Sequence, residues 1–324
     1  MRNRVGALLF SITSLAALTA HAEEPILARS FDPTLGELPE SIAFDDGGNL
    51  FLSMGNTIRR LTPEGDLEQW SKLPVEEAFA LGVKVGPDGC VYNASTSLNP
   101  NIVGAFVWRT CEQGAIEEYA ALDPSAGPND LAFDDEGNLF VTDPIGGRIF
   151  KVDDAGNTSL FLDHALLKGN PAAPALLFGQ QGVNGIAFAK NEKSFYVGNL
   201  DYGRILEVAL KNDGSFKSIE LVAQAPALVG ADAMAFDKDK RLWVAVGAQN
   251  QLVSVKKNGH VRVESTNALL NGPAGLAFGV EHGDKKTLYI ADLDFLKAFG
   301  LIPGTPEPNL LTLRTPAAGL PILD

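Results

Sequence analysis

Short apolar segments ending on an aromatic or a valine return along the whole chain, with a polar or small residue four places before that end. They read Glu40-Ser-Ile-Ala-Phe44, Leu81-Gly-Val-Lys-Val85, Asn129-Asp-Leu-Ala-Phe133, Asn184-Gly-Ile-Ala-Phe188, Asp232-Ala-Met-Ala-Phe236 and Ala274-Gly-Leu-Ala-Phe278. Acidic-glycine turns follow several of them, as in Asp45-Asp-Gly-Gly-Asn49, Pro87-Asp-Gly89 and Asp134-Asp-Glu-Gly-Asn138. Each turn opens an alternating stretch such as Leu50-Phe-Leu-Ser53, Leu139-Phe-Val-Thr142 or Leu242-Trp-Val-Ala245. A third segment follows, for example Arg148-Ile-Phe-Lys-Val152, and another glycine turn leads to a fourth. Period-two alternation, aromatic and β-branched enrichment and closely spaced turns predict strands throughout.

The segment ends recur every 41 to 55 residues. Four strands at that spacing is the pattern of propeller blades, each unable to bury its face alone. The expected fold is therefore all-β, a single six-bladed β-propeller over residues 23–324. In the last blade the third strand is expected at 295–299. The ring is then closed either by 309–313 or by 26–31, and the pattern does not choose between them. Long connections at 95–104 and 166–182 are expected to crowd the face that carries the recurring polar position, where loops over a rigid scaffold commonly set specificity.

Residues 1–22 stand apart. Arg2 and Arg4 precede a mostly apolar run and Ala20-His-Ala22, the arrangement of a cleaved secretory signal. The expectation is a periplasmic or secreted protein with no membrane span after cleavage. A net charge of −14, or −16 once Arg2 and Arg4 are removed, opposes nucleic acid and anionic lipid as partners. Cys90 and Cys111 open one strand and close the next within the second repeat, so a cross-strand disulfide is expected, worth about 3 kcal/mol.

The recurring position carries the candidate chemistry. In four repeats it is an oxygen-bearing side chain, Glu40, Asn129, Asn184 and Asp232, and in the other two it is Leu81 and Ala274. Innermost strands line a propeller's axis, so equal register means equal height, and the four oxygens converge. Two carboxylates and two amides suit one hard divalent cation, Ca2+, Mg2+ or Mn2+, and the lack of His or Cys in this register argues against Zn2+. Asp232 is in addition the candidate catalytic base. Asp143, Asn199 and His164, with Tyr202, Asp292 and Asp294, fall in loops on the same face, and the first three are candidate substrate contacts. His260 and His282 fall in turns away from it. No Gly-Xaa-Ser-Xaa-Gly elbow or phosphate-cradling glycine loop is present.

With these residues in place, the chain resembles the senescence marker protein/gluconolactonase/luciferin-regenerating family of six-bladed propellers, over essentially all of the mature sequence. In that family a Glu, an Asn-Asp, an Asn-Gly and an Asp on successive inner strands hold a central ion, which maps onto Glu40, Asn129, Asn184 and Asp232. The resemblance implies a metal-dependent hydrolase that opens a lactone ring or a related ester by metal-activated water. The alternative is a non-catalytic propeller that binds a ligand or protein partner and keeps a structural ion. Two departures stand out. Gly127 occupies the place of the arginine that family sugar lactonases carry two residues before the third-blade Asn. Ser41-Ile42 follows Glu40 where the family prefers a proline, which leaves Glu37 as a competing ligand.

Overall fold

The computed structural model describes residues 23–97, 99, 101–102, 104–172, 179–189, 193–281 and 283–320. The signal expected at 1–22 and the turn residue His282 lie outside them. The described residues form six four-stranded sheets, antiparallel throughout. The innermost strands are Pro39–Phe44, Ala78–Val85, Leu131–Phe133, Val183–Phe188, Ala231–Phe236 and Pro273–Phe278. Each packs against the inner strand of the next sheet, and the sixth packs against the first, so the blades close around one axis.

The core is distributed rather than central. Buried apolar side chains gather in six wedges, each between two adjacent blades. The recurring aromatic explains this. Phe44, Phe133 and Phe236 set their rings edge-on against Tyr289, Tyr92 and Tyr196 of the preceding blade, with centroids 4.9 to 5.0 Å apart. Burying each such ring contributes about 1.5–3 kcal/mol, plus the geometric preference of the pair. A spacing close to one blade therefore recurs because every blade needs one such wedge on its neighbour.

Closure uses both chain ends. The last sheet runs Pro273–Phe278, Thr287–Asp292, Asn309–Arg314 and then Ile26–Ser30 at the outside. The third strand is thus Asn309–Arg314, and 295–299 is not a strand. Phe295–Ala298 forms one helical turn after Asp294, itself in the left-handed region at φ 53°. Short apolar runs fit either element, and here the Phe295/Phe299 spacing matches a helical face. The expected long connection at 95–104 is also shorter than its sequence suggested. The second strand of blade two continues to Ser97, paired with Ala78 on a lengthened inner strand. The connection at 166–182 is anchored at its base, where Asp201 Oδ2 accepts from the Asn170 and Gln181 N–H groups at 2.8 and 2.7 Å.

Cys90 and Cys111 form a disulfide with Cα atoms 4.2 Å apart, flanking the Val91/Thr110 pair at the end of a hairpin. No helix among the described residues is long and apolar enough to cross a membrane.

Candidate metal centre

A regular strand would point the recurring polar side chain to the same blade face as the aromatic four places later. The inner strands are irregular at that point. Pairing with the second strand shifts register between Pro39 and Ile42, between Ala80 and Val83, between Val183 and Ile186, and between Ala231 and Met234. Each bulge spans the fourth-before-aromatic position and its successor. Bulges re-aim a side chain and free backbone groups, which is why they gather at functional sites. In blade three the regular strand begins only at Leu131, and Asn129-Asp130 precede it.

Side chains of the second strands hold these distortions. Ser53 Oγ accepts from the Ser41 N–H at 2.9 Å, Asn93 Nδ2 donates to the Gly82 carbonyl at 2.9 Å, and Thr142 Oγ1 accepts from the Asp130 N–H at 3.0 Å. Blades then interlock around the axis. Ser41 Oγ accepts from the Val83 N–H of blade two at 3.2 Å, and Asp130 Oδ2 accepts from the Ile186 N–H of blade four at 3.1 Å. Two glycines permit the approach. A Cβ on Gly185 would sit 2.0 Å from the Asp232 carbonyl oxygen, and one on Gly82 would sit 2.5 Å from that of Asn129.

The electrostatics follow from this crowding. Burial and then the nearby Asp232 and Asp130 carboxylates hold Glu40 well above the usual carboxylate range, partly offset by Lys84. Burial and Asp130 push Asp232 up to about 8. Both side chains keep some surface open to the narrow channel, although protein surrounds them. Glu40 Oε2 and Asn184 Oδ1 are buried oxygens with no hydrogen-bond partner. Such groups are costly unless something else satisfies them. Acceptors without donors, beside acids that resist ionising, define a place for positive charge, and the all-oxygen set fits a hard divalent cation. The pattern of the sequence had named Glu40, Asn129, Asn184 and Asp232 for this position.

Two residues escaped it. Asp130 enters the sequence pattern only as the residue after Asn129, but its carboxylate raises both Glu40 and Asp232. Lys84 stands one place before the segment end, where the other five blades have Ala43, Ala132, Ala187, Ala235 and Ala277. Its Nζ lies 3.3 Å from Asp130 Oδ1. Three carboxylates and one ammonium leave a formal charge of −2, the complement of one divalent ion. The alanine register that exposes Lys84 was legible in the sequence; its meaning required knowing that this register lines the channel.

The remaining candidates are placed elsewhere. Asp143, fully buried, accepts from the Gly127 and Gly146 N–H groups at 3.0 and 2.9 Å and from Arg148 Nε at 2.8 Å. Asn199 donates to the Leu166 and Lys168 carbonyls at 3.0 and 2.8 Å and accepts from the Tyr202 N–H at 3.1 Å. His164 Nδ1 accepts from the Leu166 N–H at 3.2 Å, capping a single 3-10 turn. These side chains brace loops, through backbone groups in the case of Asn199 and His164 Nδ1 and through backbone and Arg148 in the case of Asp143. Asp292 ends the second strand of blade six in the register of Asp143 and Asn199 and acts likewise, with burial pushing its carboxyl up to about 7. Glu37, the competing ligand, is held by the Arg59 guanidinium at 3.1 Å and the Asp32 N–H at 3.0 Å. Among the described residues, Asp88 with Cys90 and Cys111 is the one tight trio of metal-ligating atoms, and its sulfurs are bonded to each other.

At its other end the channel widens into a cavity of about 270 Å³, walled by Phe44, Phe133, Phe188, Phe236 and Phe278. None of the four candidate ligands lines it, while Lys84 and Ile186 touch both the cavity and Asp130. Its lining also includes Asp134, Asp135, Glu136, Lys193 and Lys211, while the unpartnered oxygens of Glu40 and Asn184 lie outside it.

Residues 87–293 match the SMP-30/Gluconolactonase/LRE-like region. The chain belongs to that family. Asn129, Asn184 and Asp232 fall within the matched residues, while Glu40 and Lys84 precede them. No curated protein matches the chain. Among solved structures, one assigned as a gluconolactonase is similar at 16% identity and a TM-score of 0.66, covering 93% of this chain and 94% of its own. Regucalcin from Agrobacterium tumefaciens, described as a calcium-binding protein, is 16% identical with a TM-score of 0.63, covering 92% and 96%. Virginiamycin B lyase from Staphylococcus aureus is 17% identical with a TM-score of 0.59, covering 85% and 80%. At these identities the likeness is one of fold, and members of this fold carry out different reactions.

Proposed function

We propose that this family member is an exported, metal-dependent hydrolase that opens a lactone ring or a related carboxylic ester. The observation that carries the proposal is the pair of buried, unpartnered oxygens on Glu40 and Asn184, in one register with Asp232. In this reading Glu40, Asn129, Asn184 and Asp232 hold one divalent cation, and Asp130 with Lys84 sets the charge around them. When bound, the cation supplies a Lewis acid for the ester carbonyl and favours ionisation of water beside it. The protein's own residues supply the rest. Asp232, whose raised proton affinity shows a strong base once it is ionised beside the bound cation, takes a proton from the attacking water and returns it to the leaving alkoxide. The partly exposed amide of Asn129 offers an N–H2 donor for the developing oxyanion. The braced loops keep these groups fixed during the reaction. Export is part of the proposal, resting on the charged, apolar and small-residue order of residues 1–22.

The test uses the mature protein stripped with chelator and assayed on lactones, aryl esters and phosphotriesters with Ca2+, Mg2+ or Mn2+ restored. Turnover that depends on added metal and falls about 10²-fold or more in Asp232→Asn supports the enzyme. Metal binding without turnover of any of these substrates sinks it and leaves a propeller whose ion is structural.

A further inference from the structure

The channel mouth is divided. Blades three, four and five present Asn129, Asn184 and Asp232 at the ligand register, while blades two and six present Leu81 and Ala274 on either side of Glu40. Above that apolar sector the two flanking blades meet. Phe79, on the lengthened inner strand of blade two, contacts Phe299, just past the helical turn of blade six, at a centroid separation of 6.4 Å. The contact reaches over blade one. Phe299 and Ile302 remain exposed beside it. Across the mouth, exposed Ile145 fills the space beside Gly127, where a Cβ would lie 2.3 Å from Ile145 Cδ1. An arginine at 127 would collide with that side chain.

Among the described residues, several charged and amide groups on the same loops are committed. Asp143, Asn199 and Asp201 accept from or donate to backbone, as described. Lys168 pairs with Asp163 and donates to the Gly146 carbonyl, Lys297 pairs with Asp294, and Arg148 pairs with Asp143. A polyhydroxylated ring needs a row of uncommitted donors and acceptors around it, and a pocket lacking them leaves the ligand's own hydroxyls desolvated and unpaired. An alkyl or aryl group needs only the surface that Leu81, Phe79, Phe299 and Ile145 offer.

Resting on the hydrolase reading above, we propose that this mouth selects lactones or esters carrying an apolar alkyl or aryl group over sugar lactones. The ester lies at the carboxylate and amide sector, and the apolar group lies under the Phe79/Phe299 contact. The test is a ladder of γ-lactones with no substituent, ethyl, butyl and hexyl at the ring carbon bearing the ester oxygen, run beside glucono-δ-lactone on the metal-restored protein. The expected kcat/KM rises about four-fold per methylene over the first few carbons, the equivalent of burying each one. Phe299→Ala and Phe79→Ala should each flatten that slope by half or more, and Phe299, already 39% exposed, tolerates truncation. Leu221→Ala, exposed on an outer strand, should keep it. A flat ladder in the wild type, a slope unchanged in both phenylalanine variants, or a larger kcat/KM on glucono-δ-lactone than on the hexyl lactone overturns the assignment. If no lactone is turned over, the hydrolase reading fails separately, and calorimetric binding of the same ladder decides the mouth. Affinity that climbs with chain length and loses that climb in Phe299→Ala supports it; affinity independent of length overturns it.

Discussion

Cation binding at the proposed centre must displace protons, and the structure gives the scale. Burial and Asp130 push the Asp232 carboxyl up to about 8, and Glu40 is held well above its ordinary range by burial, Asp232 and Asp130. At pH 7 about nine-tenths of Asp232 therefore carries a proton in the cation-free protein, and a divalent ion binds only the ionised form. Between pH 8 and pH 6 the ionised fraction of Asp232 falls about fifty-fold, so apparent affinity should fall at least that far, and further if Glu40 also titrates. Calorimetric titration of Ca2+ into chelator-treated protein, repeated in two buffers of different ionisation enthalpy, reads the released protons directly. Between one and two are expected at pH 7, and Asp232→Asn should remove about one. The same protons govern stability, with the opposite slope. The unfolded chain releases them near pH 4 while the folded, cation-free protein keeps them, so the contribution of these two groups is fully present below about pH 4 and is lost as pH rises toward 8. Saturating cation at pH 8 should restore it, by about 2.7 kcal/mol at one hundred times Kd. Affinity that is flat from pH 6 to 8 with no proton release would refute the reasoning, because the four residues could not then be sharing the ion.

Other outcomes follow from particular contacts. Asn184→Ala removes a buried oxygen with no protein partner, so it should weaken cation affinity about 10-fold or more while leaving the urea midpoint of the cation-free protein unchanged or raised. Gly185→Ala places a methyl 2.0 Å from the Asp232 carbonyl oxygen; urea unfolding should show a loss of about 1–3 kcal/mol, and a wild-type midpoint would mean the blades do not meet there. Replacing Cys90 and Cys111 together by serine opens a loop of sequence separation 21 and should cost about 3 kcal/mol in the same assay, without change in cation affinity.

How much was legible depended on whether a feature belonged to one blade or to several. The repeat is local: each blade needs a large apolar residue to seal its wedge and a turn after it, so Phe44, Val85, Phe133, Phe188, Phe236 and Phe278 announce the architecture. The register of Glu40, Asn129, Asn184 and Asp232 was legible for the same reason. The last blade was harder because it is assembled from both ends of the chain, and a five-residue apolar run at 295–299 satisfies strand and helix patterns equally.

The sequence by itself determined the strand count, the blade period and which residue types stand at the ligand height. Tertiary structure decided what those residues do. Bulges that no periodicity reveals interrupt the inner strands at Glu40, Asn184 and Asp232, and in blade three the strand begins only after Asn129. The partner of Asp130 is an N–H in the next blade, 56 residues away, and that contact places a third carboxylate beside the other two. Lys84 acquires its role only because five alanines around it leave the channel open for its side chain. Asp143 and Asn199 show the converse, since nothing in their local sequence separates a loop brace from a substrate contact. Local pattern fixes what a residue offers, while folding fixes which donors and charges reach it, and in a ring of blades those come mostly from distant parts of the chain.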